Sequence, residues 1–243
     1  MKLLLLMLLL PFYVCAGEPL IYADDSYFPV IYKDKEGQSA GILYQLLLHH
    51  AKITGTKLEI EHTSWRRAYE FATQGRGGVI GLSKTSARLS LFDYSDPIFD
   101  DNINIVVKKG REFPFSKIED LKGKVVGIHL GASYGEAFDQ AAATKMLSAD
   151  TSAVPAVRLK KLLYGRIDCA LVGSGQLGLD SIVDADPELK ANKAQFVILK
   201  HPLVKDTLYL GFAKNMNMLK YLQLFNQSIA DAKLKKIIPE TID

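Results

Sequence analysis

Short apolar segments alternate along the chain with longer segments in which apolar residues recur at helical spacing. Four runs in the first half are apolar or alternate between apolar and polar residues, which predicts strands at 19–24, 57–63, 78–83 and 102–109. Segments 41–55 and 64–75 have the helical pattern. Gly55 favours a helix C-cap and Ser64 a helix N-cap, so these two residues bound the predicted helices.

The second half repeats this alternation. It predicts strands at 124–130, 167–173, 194–200 and 207–214, and helices at 133–147, 157–165 and 174–185. A last amphipathic helix carries Met218, Leu222, Phe225 and Ile229 on one face. Alternating strands and helices predict an α/β fold with parallel sheets covered on both sides. Because similar runs precede and follow residue 102, we expect two lobes with a binding site in the crevice between them.

The first sixteen residues have the pattern of a secretion signal. Lys2 precedes a leucine-rich run that is interrupted at Pro11, and this run is shorter than the roughly 20 residues that span a bilayer. Val14 and Ala16 are small enough for the signal-peptidase site, which predicts export and cleavage after Ala16. An uncleaved anchor is the alternative. Cleavage leaves Cys169 as the single cysteine, without a partner for an internal disulfide.

Charge and histidine spacing exclude several kinds of partner. The 30 basic and 27 acidic residues are evenly spread, whereas a nucleic-acid-binding protein would have a clustered basic surface. His49 and His50 are adjacent on a predicted helix and point about 100° apart, so they cannot chelate one ion together. The remaining histidines are isolated. The sequence therefore predicts no nucleic-acid partner, no metal site and no cofactor.

Two glycine motifs match the patterns of a nucleophile elbow and of a dinucleotide site, but the residues around them do not fit either site. GASYG (131–135) matches the G-x-S-x-G nucleophile elbow, and Asp168 and His201 follow Ser133 in the order of a triad. A secreted serine hydrolase is thus one alternative, although no HGGG-like oxyanion segment precedes Ser133. GSGQLG (173–178) matches G-x-G-x-x-G but lacks the acidic residue that a dinucleotide site needs about 20 residues further on. Its glycines are better explained by close approach of the backbone to a ligand or to the facing lobe.

A third motif, SKTSARLSLFDYSDPI (83–98), brings together donors suited to a carboxylate. Ser83 ends the predicted strand 78–83, and Arg88 follows in a loop rich in Ser and Thr. Arginine binds a carboxylate with two parallel hydrogen bonds.

This motif resembles the signature of the bacterial extracellular solute-binding proteins of family 3. IYADDSYFPV (21–30) resembles the family's first strand and ligand loop, and DLKGKVVGIHLGASYG (120–135) and YGRIDCALVG (164–173) resemble segments of its second lobe. The resemblance implies a periplasmic receptor of an ABC importer with the type II periplasmic-binding-protein fold, which has two mixed, mostly parallel sheets flanked by helices and a two-strand hinge. Lobe 1 would comprise 17–101 and 206–243, and lobe 2 would comprise 102–205.

Carried over by position, the resemblance implies a set of ligand-binding residues. Arg88 would hold a ligand carboxylate, and Ser83 and Gly81 would line the same wall. Asp24, Tyr27 and Trp65 would contact the ligand from the first lobe. Ser133, together with the N–H groups of the helix it is expected to start, would reach the carboxylate from the second lobe.

Gly173, followed by Ser174, is where the sequence departs from the family pattern. Amino-acid receptors of this family usually have an acidic residue there, which pairs with the ligand's α-ammonium. An α-ammonium buried without a counter-charge would be costly. Either Asp24 or Asp25 supplies that charge, or the ligand is not a standard α-amino acid.

The family resemblance implies a monomer without catalytic residues, whose partners are a small carboxylate ligand and an inner-membrane ABC permease. A ligand-sensing receptor that is not coupled to a permease is the remaining alternative.

Overall fold

The first half of the fold is assembled from short strands and three helices. A computed structural model describes residues 19–242, so the predicted signal peptide and its cleavage site lie outside the described residues. The strands are β1 (Ile21–Asp24), β2 (Ser26–Tyr27), β3 (Ile31–Lys33), β4 (Ser39–Ala40), β5 (Ile60–Thr63), β6 (Gly78–Ser83) and β7 (Phe92–Tyr94). The helices are α1 (Ile42–Thr54), α2 (Trp65–Thr73) and α3 (Ser86–Leu89).

The second half begins with a long strand and contains a second long strand near its end. The strands are β8 (Phe99–Lys108), β9 (Val125–His129), β10 (Ser148–Ser152), β11 (Cys169–Val172), β12 (Phe196–Ile198), β13 (Val204–Ala213) and β14 (Thr241–Ile242). The helices are α4 (Glu136–Ala143), α5 (Pro155–Leu163), α6 (Gly175–Asp184), α7 (Pro187–Ala191) and α8 (Leu219–Leu234).

The main sheet is mixed, and its strand order is β10-β9-β11-β8-β13-β6-β1-β5. The strands β1, β5 and β6 run parallel at one end, and β9, β10 and β11 run parallel at the other. The long strands β8 and β13 pair antiparallel in the middle and connect the two groups. This arrangement agrees with the predicted α/β class and with two crossing strands.

Separate apolar cores lie on the two sides of the crossing strands. One is formed by β1, β6, α1 and α8 and includes the fully buried Leu46 and Phe225. The other is formed by β8, β9, β11 and α4 and includes Ile105 and Phe138. Each half of the fold therefore buries its own apolar surface, which is expected of two lobes that share strands.

Two elements carry no apolar pattern and were not predicted. The strand β10 reads SADTS and forms at the sheet edge because all five of its residues pair with β9. The short helix α7 is determined by local signals, since Asp186 caps its N–H groups and Pro187 occupies its first position.

The predicted helix 133–147 is too long at both ends, since α4 starts at Glu136 and stops at Ala143. Gly135, with a φ of +88°, directly precedes α4. Such a φ is left-handed and favours glycine, so the chain turns at Gly135 before the helix can start. In the described part of the chain, no helix is long and apolar enough to cross a membrane.

Candidate ligand-binding site

A cavity of about 130 Å³ lies between the two halves of the fold. Asp24, Ser83 and His129 are the last residues of β1, β6 and β9, and all three line it. Ligands in open α/β sheets bind outside the carboxyl ends of the strands, where these side chains lie. Since one water needs on the order of 10–15 Å³, the cavity has room for a small solute.

Eight of the nine residues singled out in the sequence line this cavity: Asp24, Tyr27, Trp65, Gly81, Ser83, Arg88, Ser133 and Gly173. Ser174 is fully buried and does not line it. Its backbone N–H donates to Asp101 Oδ1 at 2.7 Å, so Ser174 supports the wall from behind.

Arg88 is buried against two aromatic rings. Its guanidinium carbon lies 4.9 Å from the centre of the Tyr69 ring and 5.9 Å from that of Trp65. Its Nη1 donates to the carbonyl oxygen of Ser83 at 3.3 Å. Thr85 caps α3 by accepting from the Arg88 N–H, which fixes the helical turn that carries the arginine. Stacking orients the guanidinium plane while its other donors remain available to a carboxylate in the cavity.

A bulge in β6 turns Ser83 toward the cavity. Gly81 has a φ of +83° and is skipped in the pairing of β6 with β13, where Ile80 pairs with Leu210 and Leu82 with Tyr209. A bulged residue with this φ favours glycine, and such bulges redirect the side chains that follow them. The Ser83 hydroxyl donates to Asp206 Oδ2 at 2.7 Å.

Asp206 is a cavity residue that the sequence analysis missed. It lies on β13 directly opposite Asp101 on β8. Burial, and after it the negative charge of the nearby Asp101, raise the pKa of Asp206 to about 7 against the opposing effects of Ser83 and Arg88. Burial also raises the pKa of Asp101 to about 6, although the Tyr27 hydroxyl and the Ser174 N–H donate to its carboxylate.

Asp24 is held by its own loop and by the opposite half of the fold. Its Oδ1 accepts from the Ser26 N–H at 2.7 Å and from the Ser26 hydroxyl at 2.8 Å, and its Oδ2 lies 3.6 Å from His129 Nε2. Burial alone would raise the pKa of Asp24, but the contacts with His129 and Ser26 outweigh it and the pKa is lowered. Asp25, the other acid considered in the sequence, is exposed and does not line the cavity.

Gly173 is a glycine because Asp101 and Tyr27 occupy the space beside it. A Cβ at this position would lie 2.6 Å from Asp101 Oδ2 and 3.0 Å from the Tyr27 hydroxyl. The first glycine of GSGQLG therefore permits close approach of the backbone to Tyr27 of the facing half. This confirms the prediction that the glycines of the motif serve close approach to the facing lobe. The acidic group beside Gly173 is Asp101 of the crossing strand β8, which lies opposite Asp206 of β13.

Replacing Gly173 with alanine should destabilise the protein by about 1–3 kcal/mol, because the added methyl group overpacks the wall. Urea unfolding followed by circular dichroism measures the loss. Gly55→Ala is the matched control, since a Cβ there has open space and only the left-handed φ of +70° is strained, at roughly 1 kcal/mol. Equal losses in both variants would contradict the crowding at Gly173.

Ser133 lines the cavity, but its hydroxyl is used within its own segment. It donates to the carboxylate of Asp139 on α4, and the Tyr134 N–H also donates to Asp139, at 3.2 Å. Ser133 therefore does not start the helix, and the expected free N–H groups of a helix start are not found at this residue.

The triad of the hydrolase alternative is not assembled. Asp168 accepts from the Val125 N–H and His201 is exposed. Within residues 19–242, no histidine hydrogen-bonds Ser133.

Besides the contact between Asp24 and His129, two hydrogen-bonded contacts join the halves close to cavity-lining residues. The Trp65 indole N–H donates to the carbonyl oxygen of Gly131 at 3.1 Å. The Ser86 N–H and hydroxyl both donate to Glu136 Oε1, the N–H at 2.9 Å. Trp65 and Ser86 belong to the first half and Gly131 and Glu136 to the second, so the halves meet around the cavity.

Arg158 and His129 also line the cavity and were not among the predicted site residues. Arg158 falls in the predicted helix 157–165, and an arginine on such a helix is ordinarily solvated. Only the packing of α5 against β9 shows that this arginine turns inward.

The sequence model described as "Bacterial extracellular solute-binding proteins, family 3" matches residues 20–240. The chain is 27% identical over 158 residues to the L-cystine-binding protein TcyJ of Escherichia coli K12, a match that covers 64% of this chain and 59% of that protein. The chain therefore spans less than two thirds of the length of that relative.

Two solved structures are similar in fold. Holo ArgBP from T. maritima has a TM-score of 0.70 and 21% identity, with 89% of this chain and 91% of that chain covered. A histidine kinase sensor domain with similarity to periplasmic binding proteins has a TM-score of 0.74 and 20% identity, with 90% and 91% covered. At these identities the likeness shows the type II periplasmic-binding fold.

Proposed function

The chain belongs to the bacterial extracellular solute-binding proteins, family 3, and we propose that it is a periplasmic receptor of an ABC-type importer. The family comprises solute-binding proteins, and similar proteins include binding proteins of amino-acid ABC transporters. The proposed ligand is a small carboxylate-bearing solute, an α-amino acid or a related compound. The receptor is a monomer. It binds this ligand in the cavity between the lobes and does not convert it chemically.

The position of Ser83 is the main support for this proposal. Ser83 contacts both of the charged protein groups that would pair with the two charges of an α-amino acid. Its carbonyl oxygen accepts from Arg88 and its hydroxyl donates to Asp206. Arg88 supplies donors for the α-carboxylate, and Asp206 supplies an acceptor for the α-ammonium. The two groups of opposite charge adjoin one serine on one wall, which matches the short spacing of the charges in the ligand.

Asp206 replaces the acidic residue that the family usually has at the position of Gly173. Of the two acids considered from the sequence, Asp24 lines the cavity and Asp25 does not. Asp24 already accepts two hydrogen bonds from Ser26 and faces His129, whereas Asp206 accepts one from Ser83. We therefore assign the α-ammonium to Asp206.

Ligand-dependent closure follows from the way the lobes are connected. With lobe 1 at 17–101 and 206–243 and lobe 2 at 102–205, β8 and β13 are the strands that cross between them. A ligand that touches both lobes stabilises the closed form by the contacts it makes to each.

Removing the contact between Ser86 and Glu136 should weaken ligand binding about 2–10-fold. Glu136→Ala deletes two hydrogen bonds that form only when the lobes meet, and an exposed hydrogen bond contributes roughly 0.5–1.5 kcal/mol. Isothermal titration calorimetry measures the affinity. Glu119→Ala is the control, because Glu119 is also exposed and acidic but lies away from the cavity. An unchanged affinity in Glu136→Ala would show that this contact takes no part in closure.

The full chain should be expressed with its leader and recovered from the periplasm, and its mass should correspond to an N-terminus at Gly17. Calorimetry with the twenty L-amino acids and L-cystine should then give saturable binding of at least one of them, with the ligand recovered unchanged. Absence of binding would contradict the receptor assignment. Recovery of a converted product would indicate an enzyme.

Uptake of the bound amino acid by the source cells distinguishes a receptor that feeds a permease from a sensing receptor. Deletion of the gene should abolish high-affinity uptake if the receptor feeds a permease. Unchanged uptake together with binding would favour the sensing alternative.

A further inference from the structure

Arg158 is a buried cation in the cavity wall whose donors lack partners. It lies on α5 in the second half of the fold and is 5% exposed. Its Nε and Nη1 atoms are buried and have no hydrogen-bond partner among the described residues. Burial also lowers the pKa of Arg158, as expected for a charge removed from water.

The backbone makes room for this side chain. Arg158 passes over Gly127 of β9, where a Cβ would lie 2.9 Å from Arg158 Cγ and 3.3 Å from its Cδ. The stem is thus packed against the strand, and the head reaches the cavity beside Tyr134 and on the side of Asp24. The head is held there by packing, since its buried donors have no protein acceptor.

A buried guanidinium without an acceptor is costly, and proteins rarely keep one without a function. Five N–H donors in a fixed fork match the geometry of a carboxylate. Arg88 already provides the site for one carboxylate from lobe 1, whereas Arg158 faces the cavity from lobe 2. A ligand held by both arginines would also connect the two lobes.

We propose that Arg158 binds a second carboxylate of the ligand, so that the receptor selects a dicarboxylic amino acid. This inference rests on the proposed function, in which Arg88 holds the α-carboxylate. Two kinds of ligand have the required chemistry. One is an amino acid with an acidic side chain, which has a single ammonium. The other is a diamino dicarboxylic acid, whose second ammonium would face Asp24, which lines the same cavity as Arg158.

Calorimetry with matched probes tests the second carboxylate. L-glutamate and L-glutamine differ in one charge at nearly equal size, and L-cystine and L-methionine compare a diamino dicarboxylic acid with a monocarboxylate. At least one dicarboxylate should bind about 100-fold more tightly than its monocarboxylate partner, since the unmatched arginine stays unpaired in the latter. A preference for L-glutamate identifies the acidic side chain, and one for L-cystine identifies the diamino class.

Equal affinities within both pairs would overturn the inference while leaving the receptor assignment intact. Absence of binding by any amino acid would overturn both.

The variant Arg158→Met tests whether Arg158 binds the ligand or only stabilises the fold. It should abolish the preference for the dicarboxylate and change monocarboxylate affinity less than about 3-fold, because only the second contact is lost. In the ligand-free protein its melting temperature should rise, since an unpaired buried charge is replaced by an apolar side chain. A lower melting temperature together with an unchanged ligand preference would show that Arg158 is structural and overturn the inference. Arg158→Lys, which keeps the charge without the fork, should retain part of the preference.

Discussion

Replacing Arg88 with alanine should abolish measurable binding of every carboxylate ligand. The guanidinium is buried, is oriented by Tyr69 and Trp65, and faces the cavity with donors that Ser83 does not use. Without it, the ligand carboxylate would be buried without a partner, at about 3–5 kcal/mol, which corresponds to a loss of roughly two to four orders of magnitude in affinity. Isothermal titration calorimetry of the purified protein with its amino-acid ligand measures this loss.

Two further variants distinguish the lost charge from lost packing. Arg88→Met keeps an apolar stem against Tyr69 and should bind as poorly as Arg88→Ala while melting at a higher temperature. Arg111→Ala removes an exposed arginine away from the cavity and should leave affinity unchanged. Nearly full affinity in Arg88→Met would sink the assignment of Arg88 to the ligand carboxylate.

Much of the site follows from the sequence because several of its residues lie at strand ends. In parallel sheets the carboxyl ends of the strands converge, so Asp24 after β1 and Ser83 after β6 meet without any detailed knowledge of packing. Arg88 follows within five residues of Ser83, and a short capped turn holds it on the same wall. Local pattern and strand direction account for where these residues lie, whereas their assignment to a ligand came from the family resemblance.

Asp206 could not be found in this way because it lies within a long strand. Its place opposite Asp101 depends on the antiparallel register of β8 and β13, whose residues are about a hundred positions apart in the chain. Arg158 was missed for a related reason. On an amphipathic helix an arginine is ordinarily solvated, and its inward direction depends on the absence of a side chain at Gly127.

Ser133 shows the opposite error, because its motif predicted a helix start that the structure does not have at this residue. The G-x-S-x-G pattern and the family resemblance both placed a helix start at this serine. Asp139, one turn inside α4, accepts the Ser133 hydroxyl and the Tyr134 N–H instead. An acidic residue in the first turn can thus occupy the anion site that a helix N-terminus would otherwise offer.

The pH dependence of binding is the second large effect that we expect, and it depends on Asp206. The pKa of its carboxyl is about 7 in the ligand-free protein, whereas pairing with an ammonium requires the carboxylate. Ligand affinity should therefore rise as the pH increases from 5 to 7.5, by close to tenfold per unit at the acidic end, and level off near pH 7. Calorimetry at pH 6 in buffers of different ionisation enthalpy should show release of about one proton on binding.

Asp206→Asn tests this assignment, because asparagine still accepts the hydrogen bond from Ser83 but has no charge. Its affinity should fall by about two orders of magnitude at pH 7.5, and the proton released by Asp206 should disappear from the calorimetry. Asp25→Asn is the control, since Asp25 is exposed, and it should bind like the unmodified protein. Proton release that persists in Asp206→Asn would assign the titration to another acidic residue, and Asp101 on β8 is the acid that faces Asp206 directly.

The same carboxyl should affect the stability of the ligand-free protein in the opposite sense. Its pKa is higher in the folded than in the unfolded chain, so the folded state binds more protons between about pH 4 and pH 7 and stability falls as the pH rises through this range. Ionised Asp206 lies beside Asp101, and a pKa raised from 3.8 to about 7 corresponds to a cost of roughly 4 kcal/mol above pH 7. Asp206→Asn should therefore melt at a higher temperature than the unmodified protein at pH 7.5 and differ little from it at pH 4. A variant that binds more weakly and folds more stably would mark Asp206 as a residue kept for the ligand, whereas a lower melting temperature at pH 7.5 would mark it as a structural acid.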